Sequence, residues 1–194
     1  MIKLPEVTLV CMRGLNYKTS EHQVALRYSM LGIDFGAVLD IQLDKIKDVA
    51  TWNEAIIYDL PKYIQTSHCL LIHHDGYVVN PDLWNNEWLG LDFIGAPWPL
   101  PQDEYSYRTP SGKLVRVGNS VSLRSKVLMD LVASLPMEYH FGNNNEDGQI
   151  CVWSRDWLEE QGCKFAPLEV AKYFSKEHEI EENKNIKTFA FHQV

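Results

Sequence analysis

The sequence predicts an α/β fold built on a βαβ unit with a parallel sheet. Two observations carry this reading. First, residues 7–12 are a β-branched and apolar run, residues 19–31 have helical spacing, and residues 37–41 are a second apolar strand. A parallel pair bridged by a crossover helix is the economical arrangement of such a unit. Second, the stretch LLIHHDGYVVN at residues 70–80 opens with Leu70, Leu71 and Ile72 and then breaks at His73, His74, Asp75 and Gly76. An apolar run of this length reads as a buried strand, and the polar break marks its end. In open α/β sheets, ligands gather at the carboxyl ends of strands. A carboxylate there, beside two imidazoles and a glycine, is a seat for a divalent cation. The competing reading is a plain Asp-Gly turn.

The other elements follow in order. Residues 13–18, RGLNYK, are a loop at the end of the first strand, where nucleotides often land in such folds. Arg13, Asn16 and Tyr17 are its candidates for a phosphate or base contact, against an ordinary surface loop. Neither the glycine pattern of a dinucleotide fold nor a P-loop is present. The helix at 19–31 opens with a Ser20/Gln23 capping box, turns Val24, Tyr28 and Leu31 to one face and stops at Gly32. Asp44 and Lys45 follow the second strand with the same ambiguity as the first loop. Residues 51–63 read as a helix with Trp52, Ala55, Ile56 and Leu60 inward and Pro61 disturbing its end. Asn80 and Pro81 resemble an N-cap and first helical position, with Trp84, Trp88 and Leu91 packing inward.

Residues 92–101, DFIGAPWPLP, are a short strand running into a proline-rich bend. Trp98 between its prolines is either a wall for a sugar ring or a packed loop side chain. Residues 105–117 suggest a hairpin around Pro110, Ser111 and Gly112. The small residues of VGNSVS, 117–122, let a backbone approach a ligand closely. Ser125 opens a helix carrying Val127, Leu128, Leu131, Val132 and Leu135 on one face. In GNNNED, 142–147, Glu146 and Asp147 stand in the first turn of a helix that Gly162 ends. Acidic residues there either answer the helix dipole or form a catalytic carboxylate held on a rigid element. The charged stretch 175–187 reads as a mobile surface segment. Residues 188–191, with alternating Phe189 and Phe191, are a last strand, and His192 at its end belongs to what is by default a fraying tail. The alternation, if it docks the strand on the body, would hold that tail in place.

Bulk properties narrow the function. A chain of 194 residues suits a single domain spanning 1–194 with a substantial core. The net charge is −8 with no Lys/Arg block, which argues against nucleic acid and leaves room for a small phosphorylated ligand. No apolar run is long enough to span a bilayer, and residues 1–14 lack the form of a signal peptide. Cys11, Cys69, Cys151 and Cys163 have no paired spacing, so reduced, mostly buried thiols of a cytoplasmic protein are expected.

Six stretches taken together and in order carry a family resemblance: HDG after LLI, DFIGAPW, VGNSVSLRS, NED before IC, FAPLEVAKYFS and FAFH. They resemble a sugar-transferase-like family catalogued as a domain of unknown function, related to the GT-A nucleotide-sugar glycosyltransferases, and are also similar to an N-terminal glycosyltransferase domain of chlorella viruses. The resemblance runs from Val7 to His192. It implies a GT-A, Rossmann-like fold, a central mostly parallel mixed sheet flanked by helices, with the nucleotide-sugar site at the strand ends. The family's metal motif is Asp-X-Asp after an apolar strand. Here Asp75 takes the second, metal-ligating slot, and His73 stands where relatives have Asp or Gln. His192 matches a C-terminal histidine that completes the metal shell in some GT-A enzymes. Glu146 and Asp147 match the region of the catalytic or acceptor-binding acid, and Asn119 and Ser120 a segment lining the donor sugar. His74 joins Arg13, Asn16, Tyr17 and Asp44 as nucleotide-binding candidates.

The activity so implied is metal-dependent transfer of a hexosyl or deoxyhexosyl group from a nucleoside diphosphate sugar, UDP-linked by expectation, to a hydroxyl of a glycan acceptor. A cation neutralises the charge growing on the leaving diphosphate. Imidazole ligands favour Mn2+ over the alternative, Mg2+. An inverting enzyme also needs a base near the acceptor hydroxyl, with Asp147 first and Glu146 second. A retaining enzyme would not need it there, and the stereochemistry stays open. The expected partners are a donor and a glycan acceptor, in a chain that in a longer parent would be joined to further domains and that, if viral, would work in the host cytoplasm. The alternatives are a non-catalytic nucleotide-sugar or carbohydrate-binding module of the same fold and, last, a nucleotidyltransferase.

Overall fold

Five strands form the central sheet in the order β2-β1-β3-β5-β4. They are β1 (Ile2–Arg13), β2 (Ile33–Gln42), β3 (His68–Ile72), β4 (Phe93–Pro97) and β5 (Val117–Ser125). The computed structural model describes residues 1–15, 19–136 and 145–193. β1 pairs in parallel with β2 and with β3, while β5 lies antiparallel between β3 and β4. Four strands therefore point one way and one is reversed, as the mostly parallel mixed reading requires. The helices are α1 (Thr19–Ser29), α2 (Val49–Tyr58), α3 (Leu60–Tyr63), α4 (Lys126–Ala133), α5 (Glu146–Gly148), α6 (Arg155–Glu160) and α7 (Leu168–Phe174), with one π turn at Gln149–Trp153.

The central strands are apolar throughout because both their faces are covered. In β1, Leu9 and Cys11 face the layer of α1 and α7, while Val10 and Met12 face α2. Leu70 and Ile72 of β3 repeat the first face, and Cys69 and Leu71 the second. β2, at the sheet edge, alternates between buried or half-buried and exposed positions. All four cysteines are free and buried, and burial pushes the Cys11 and Cys69 thiols up to about 12, which keeps them protonated.

Several local expectations are corrected. In α1 and the turn after it, Val24, Tyr28 and Leu31 are exposed, and His22, Ala25, Leu26 and Ser29 are buried instead. The small residues allow close approach: Ser29 Oγ accepts the Val78 N–H at 3.1 Å. The helix already includes Ser20, so Ser20 does not cap it. The helix expected at 51–63 begins earlier, on an Asp48/Thr51 capping box, and breaks at Asp59 ahead of Pro61. Asn80 and Pro81 do stand at the N-cap and first position, but of a single 3-10 turn (Pro81–Leu83), and the Asn80 side chain makes no cap: its Nδ2 donates to the Thr188 carbonyl at 2.7 Å. The hairpin at 105–117 is present but short: Arg108 bridges Leu114 antiparallel, flanked by the Thr109 N–H to the Lys113 carbonyl and the Val115 N–H to the Tyr107 carbonyl. Ser125 does cap α4, accepting the Leu128 N–H at 3.0 Å, and Gly32 and Gly162 end their helices at φ of 82° and 92°.

The charged stretch 175–187 is the largest correction. It is tied down at β6 (Ser175–Lys176), which pairs in parallel with β7 (Ala190–Phe191). Ser175 and Asn183 are fully buried, and Asn183 holds the loop by accepting from the Ile180 N–H and donating to the His178 carbonyl. The C-terminal strand is likewise no fraying tail. The Val79 N–H donates to the Phe189 carbonyl, the Phe191 N–H to the Tyr77 carbonyl and the Gln193 N–H to the Asp75 carbonyl.

Candidate functional site

The break after β3 is a tight turn, closed by the His73 N–H donating to the Gly76 carbonyl at 2.7 Å. Gly76 is required there for space. A Cβ at this position would stand 2.6 Å from Val121 Cγ2, 2.7 Å from His192 Cδ2 and 2.9 Å from the Phe191 carbonyl oxygen. The missing side chain lets the C-terminal strand lie against the turn and delivers His192 to it. One ligand atom from each of His73, Asp75 and His192 lies within 4.8 Å of the others. His192 Nε2 is 3.7 Å from Asp75 Oδ1, and His73 Nδ1 is 4.0 Å from it.

This trio has the chemistry of a cation site. His73 Nε2 and Asp75 Oδ1 are buried without a hydrogen-bond partner among the described residues. Buried polar atoms are rarely left so, and a metal ion would satisfy both. Burial, followed by the neighbouring charges of His192 and Arg124, holds the His73 imidazole well below its ordinary value, in the neutral form that ligates metals. Trp52 packs edge-on against His73 at 4.9 Å and is fixed by its Nε1–H to the Met12 carbonyl. Burial opposes a charge on His192, but its bond to Glu177 and the Asp75 charge outweigh it and raise the imidazole. Asn119 Nδ2 lies 3.1 Å from His192 Nδ1, and Glu177 Oε1 lies 3.5 Å from the same nitrogen.

Around the trio is a cavity of about 320 Å³, lined by Arg13, His22, Trp52, His74, Ser120 and Asp147 among others. A second, of about 350 Å³, adjoins it and contains Trp98, Tyr107 and Trp153. Asn145, Asp147 and Glu177 line both. Asp147 is half-buried, with its Oδ1 accepting from the Gly148 N–H. Burial first, then the Glu146 charge, pushes its carboxyl up to about 7.

The remaining sequence candidates divide. Glu146 does not reach either cavity: it is fully buried, with Oε2 2.8 Å from Arg124 Nη2, and Arg124 is itself 1% exposed. That is the place of a buried ion pair and not of a base at a cavity wall. Arg13 lines the first cavity with its guanidinium committed to Asp40 and Gln42. Asp44 is exposed and outside both cavities. His74 lines the first, its ring 5.1 Å from that of His22. Trp98 stacks on Tyr107 at 4.8 Å, over Gly118, where any Cβ would collide with the indole. Asn119 sits at φ 85° with Oδ1 accepting the Val121 N–H. Asn16 and Tyr17 lie outside the described residues. Sequence reading missed Glu177, His22, Tyr107 and Asn145. For Glu177 the available signal was its closeness to the family stretch FAPLEVAKYFS, which ends at Ser175.

Comparison with known proteins agrees with this architecture. A crystal structure of a glycosyltransferase involved in the glycosylation of the major capsid of PBCV-1 superposes with a TM-score of 0.51, covering 95% of this chain and 91% of that one. At 13% identity the likeness shows a shared fold. No curated protein matches. A family profile matches residues 51–192, from α2 to the end of the metal-ligand candidates, and on that span the chain belongs to the family described as protein of unknown function (DUF5672).

Proposed function

We propose that this protein is a metal-dependent GT-A glycosyltransferase, moving a sugar from a nucleoside diphosphate sugar, with UDP as the nucleotide, to a hydroxyl of a glycan. The observation that carries the reading is the trio His73, Asp75 and His192, with two orphaned buried ligand atoms, at the end of β3 in a cavity that meets a second one at Asp147. The shared fold with a glycosyltransferase structure supports it.

In this reading His73, Asp75 and His192 hold the cation, with Mn2+ preferred for its imidazole ligands. Bound there, it supplies neutralisation of charge on the leaving diphosphate. His22 and His74, with Ser120, line the donor side, and Arg13 serves the nucleotide through its field rather than through a free fork. Asp147 takes the proton of the acceptor hydroxyl. The new bond joins the acceptor oxygen to the anomeric carbon as the bond from that carbon to the diphosphate oxygen breaks. A carboxyl titrating at about 7 is partly ionised near neutrality, where a general base works best. Trp52 and Asn119 position the two imidazoles.

Thermal melting with UDP, UDP-sugars and other nucleotides, each with and without Mn2+, tests the proposal, because a ligand raises apparent stability by mass action. Stabilisation by uridine diphosphates that a chelator abolishes is expected; equal stabilisation by all nucleotides regardless of chelator refutes it. Release of UDP from a UDP-sugar then separates an enzyme from a binding module of the same fold.

A further inference from the structure

We propose that the second cavity is an acceptor subsite built for an uncharged pyranose, read by the faces of Tyr107 and Trp153. The word acceptor rests on the glycosyl-transfer reading; the sugar specificity rests on the cavity itself. A pyranose has an apolar C–H face and a ring of hydroxyls at its edge. The cavity offers both complements: Tyr107, backed by Trp98 at 4.8 Å with 24° between the rings, and Trp153 on the apolar side, with Ser106, Asn145 and Glu177 as hydrogen-bonding groups. Large aromatic faces with a few convergent polar groups are the usual make-up of small-ligand sites.

Two further observations sharpen the class. No lysine or arginine is among the described residues lining this cavity, whereas the carboxylates of Asp147 and Glu177 both reach it. The imidazole among the lining residues, His178, lies 3.7 Å from the Glu177 carboxylate and answers that charge first, so a phosphorylated or uronic acid acceptor would enter against like charge and the site selects neutral sugars. Tyr107 also stands at φ 56°, a conformation that costs a bulky side chain free energy. Backbone strain of this kind concentrates at ligand clamps, and here it presents the ring to the cavity. Asp147, on the wall shared with the metal-bearing cavity, is where a sugar hydroxyl would meet the donor.

Saturation-transfer NMR tests this with methyl pyranosides of glucose, galactose, mannose and fucose, and with glucuronic acid and glucose 6-phosphate as acidic probes, in the presence of Mn2+ and UDP. At least one neutral glycoside should bind, and the acidic probes should bind about tenfold more weakly or not at all. Tyr107→Gly suits the left-handed backbone and removes the platform; it should weaken the neutral glycoside about tenfold, while Tyr107→Phe retains it. Gly148→Leu, whose Cβ meets nothing closer than Trp153 Nε1 at 3.5 Å, fills the cavity with Tyr107 still in the sequence and should give the same loss. Melting curves check that each variant is folded. The proposal is overturned if no neutral glycoside binds, if the acidic probes bind as well, or if binding survives both Tyr107→Gly and Gly148→Leu. If UDP with Mn2+ fails to bind while the neutral glycosides behave as described, the donor reading falls and the sugar site stands.

Discussion

Replacing Glu146 tests whether this acid is structural or catalytic. Its carboxylate and the Arg124 guanidinium are 2.8 Å apart, 0% and 1% exposed, at the junction of α5 and β5. Among the described residues Arg124 has Ser122 Oγ and the Ser120 carbonyl as its other acceptors, with the Phe93 ring 5.6 Å away. Breaking a buried pair by removing one partner strands the other charge and costs about 3–5 kcal/mol. Glu146→Gln retains one acceptor oxygen and belongs near the lower end, about 3 kcal/mol; Glu146→Leu belongs near the upper end. Either is a large share of the roughly 5–15 kcal/mol available to a domain. Urea unfolding followed by tryptophan fluorescence reads the change as a lower midpoint at constant slope. Removing both partners, as Glu146→Leu with Arg124→Met, should recover most of the loss. A second effect follows at Asp147, whose carboxyl the Glu146 charge helps to raise. In Glu146→Gln the acid limb of the transfer rate should move to lower pH. A midpoint shift worth under about 1 kcal/mol, with transfer abolished in a folded variant, would refute the structural assignment.

The other predictions concern the site itself. Asp147→Asn should cut transfer by about 100-fold or more while donor affinity, by calorimetry, stays nearly unchanged; an intact rate removes Asp147 as base. The same variant should be more stable than the parent at high pH. The folded carboxyl titrates at about 7, above its unfolded value, so its stabilising contribution is full below the unfolded value and is lost as pH rises to about 7. Allowing for its partial exposure, the variant's advantage should grow to about 1–2 kcal/mol by pH 8, and melting curves showing no pH-dependent difference would contradict this. Asp75→Asn should abolish Mn2+-dependent nucleotide binding without unfolding the protein, and calorimetry showing unchanged binding would sink the metal assignment. His192→Ala should weaken Mn2+ about tenfold, or 1.4 kcal/mol, as read by electron paramagnetic resonance of the free ion, with a smaller effect on Mg2+. Gly76→Ala should displace His192 and the C-terminal strand at a cost of about 1–3 kcal/mol, with Mn2+ affinity falling alongside; a wild-type melting temperature and affinity would refute the packing role.

The chain by itself determined what depends on short stretches. The apolar runs of β1 and β3 must be buried, and their lack of polar alternation announces parallel strands covered on both faces. The break at His73 to Gly76 follows because polar and glycine residues cannot continue such a strand. The caps at Ser125, Gly32 and Gly162 are legible for the same local reason. Tertiary structure alone decided which groups face one another. Val24, Tyr28 and Leu31 share helical spacing, but periodicity gives a face without saying which face meets the sheet; the close approach available to Ala25 and Ser29 decided that. Glu146 and Asp147 are neighbours that the sequence ranks but does not separate, and the position of Arg124 on β5 is what distinguishes a buried ion pair from a carboxylate at a cavity wall. Glu177 looked like one more charge in a solvated run until the pairing of β6 with β7 turned it toward His192. The metal-ligand candidates His73, Asp75 and His192 are joined through space by the contact that Gly76 leaves room for, and a contact between residues so distant in the chain leaves no periodic trace in either segment.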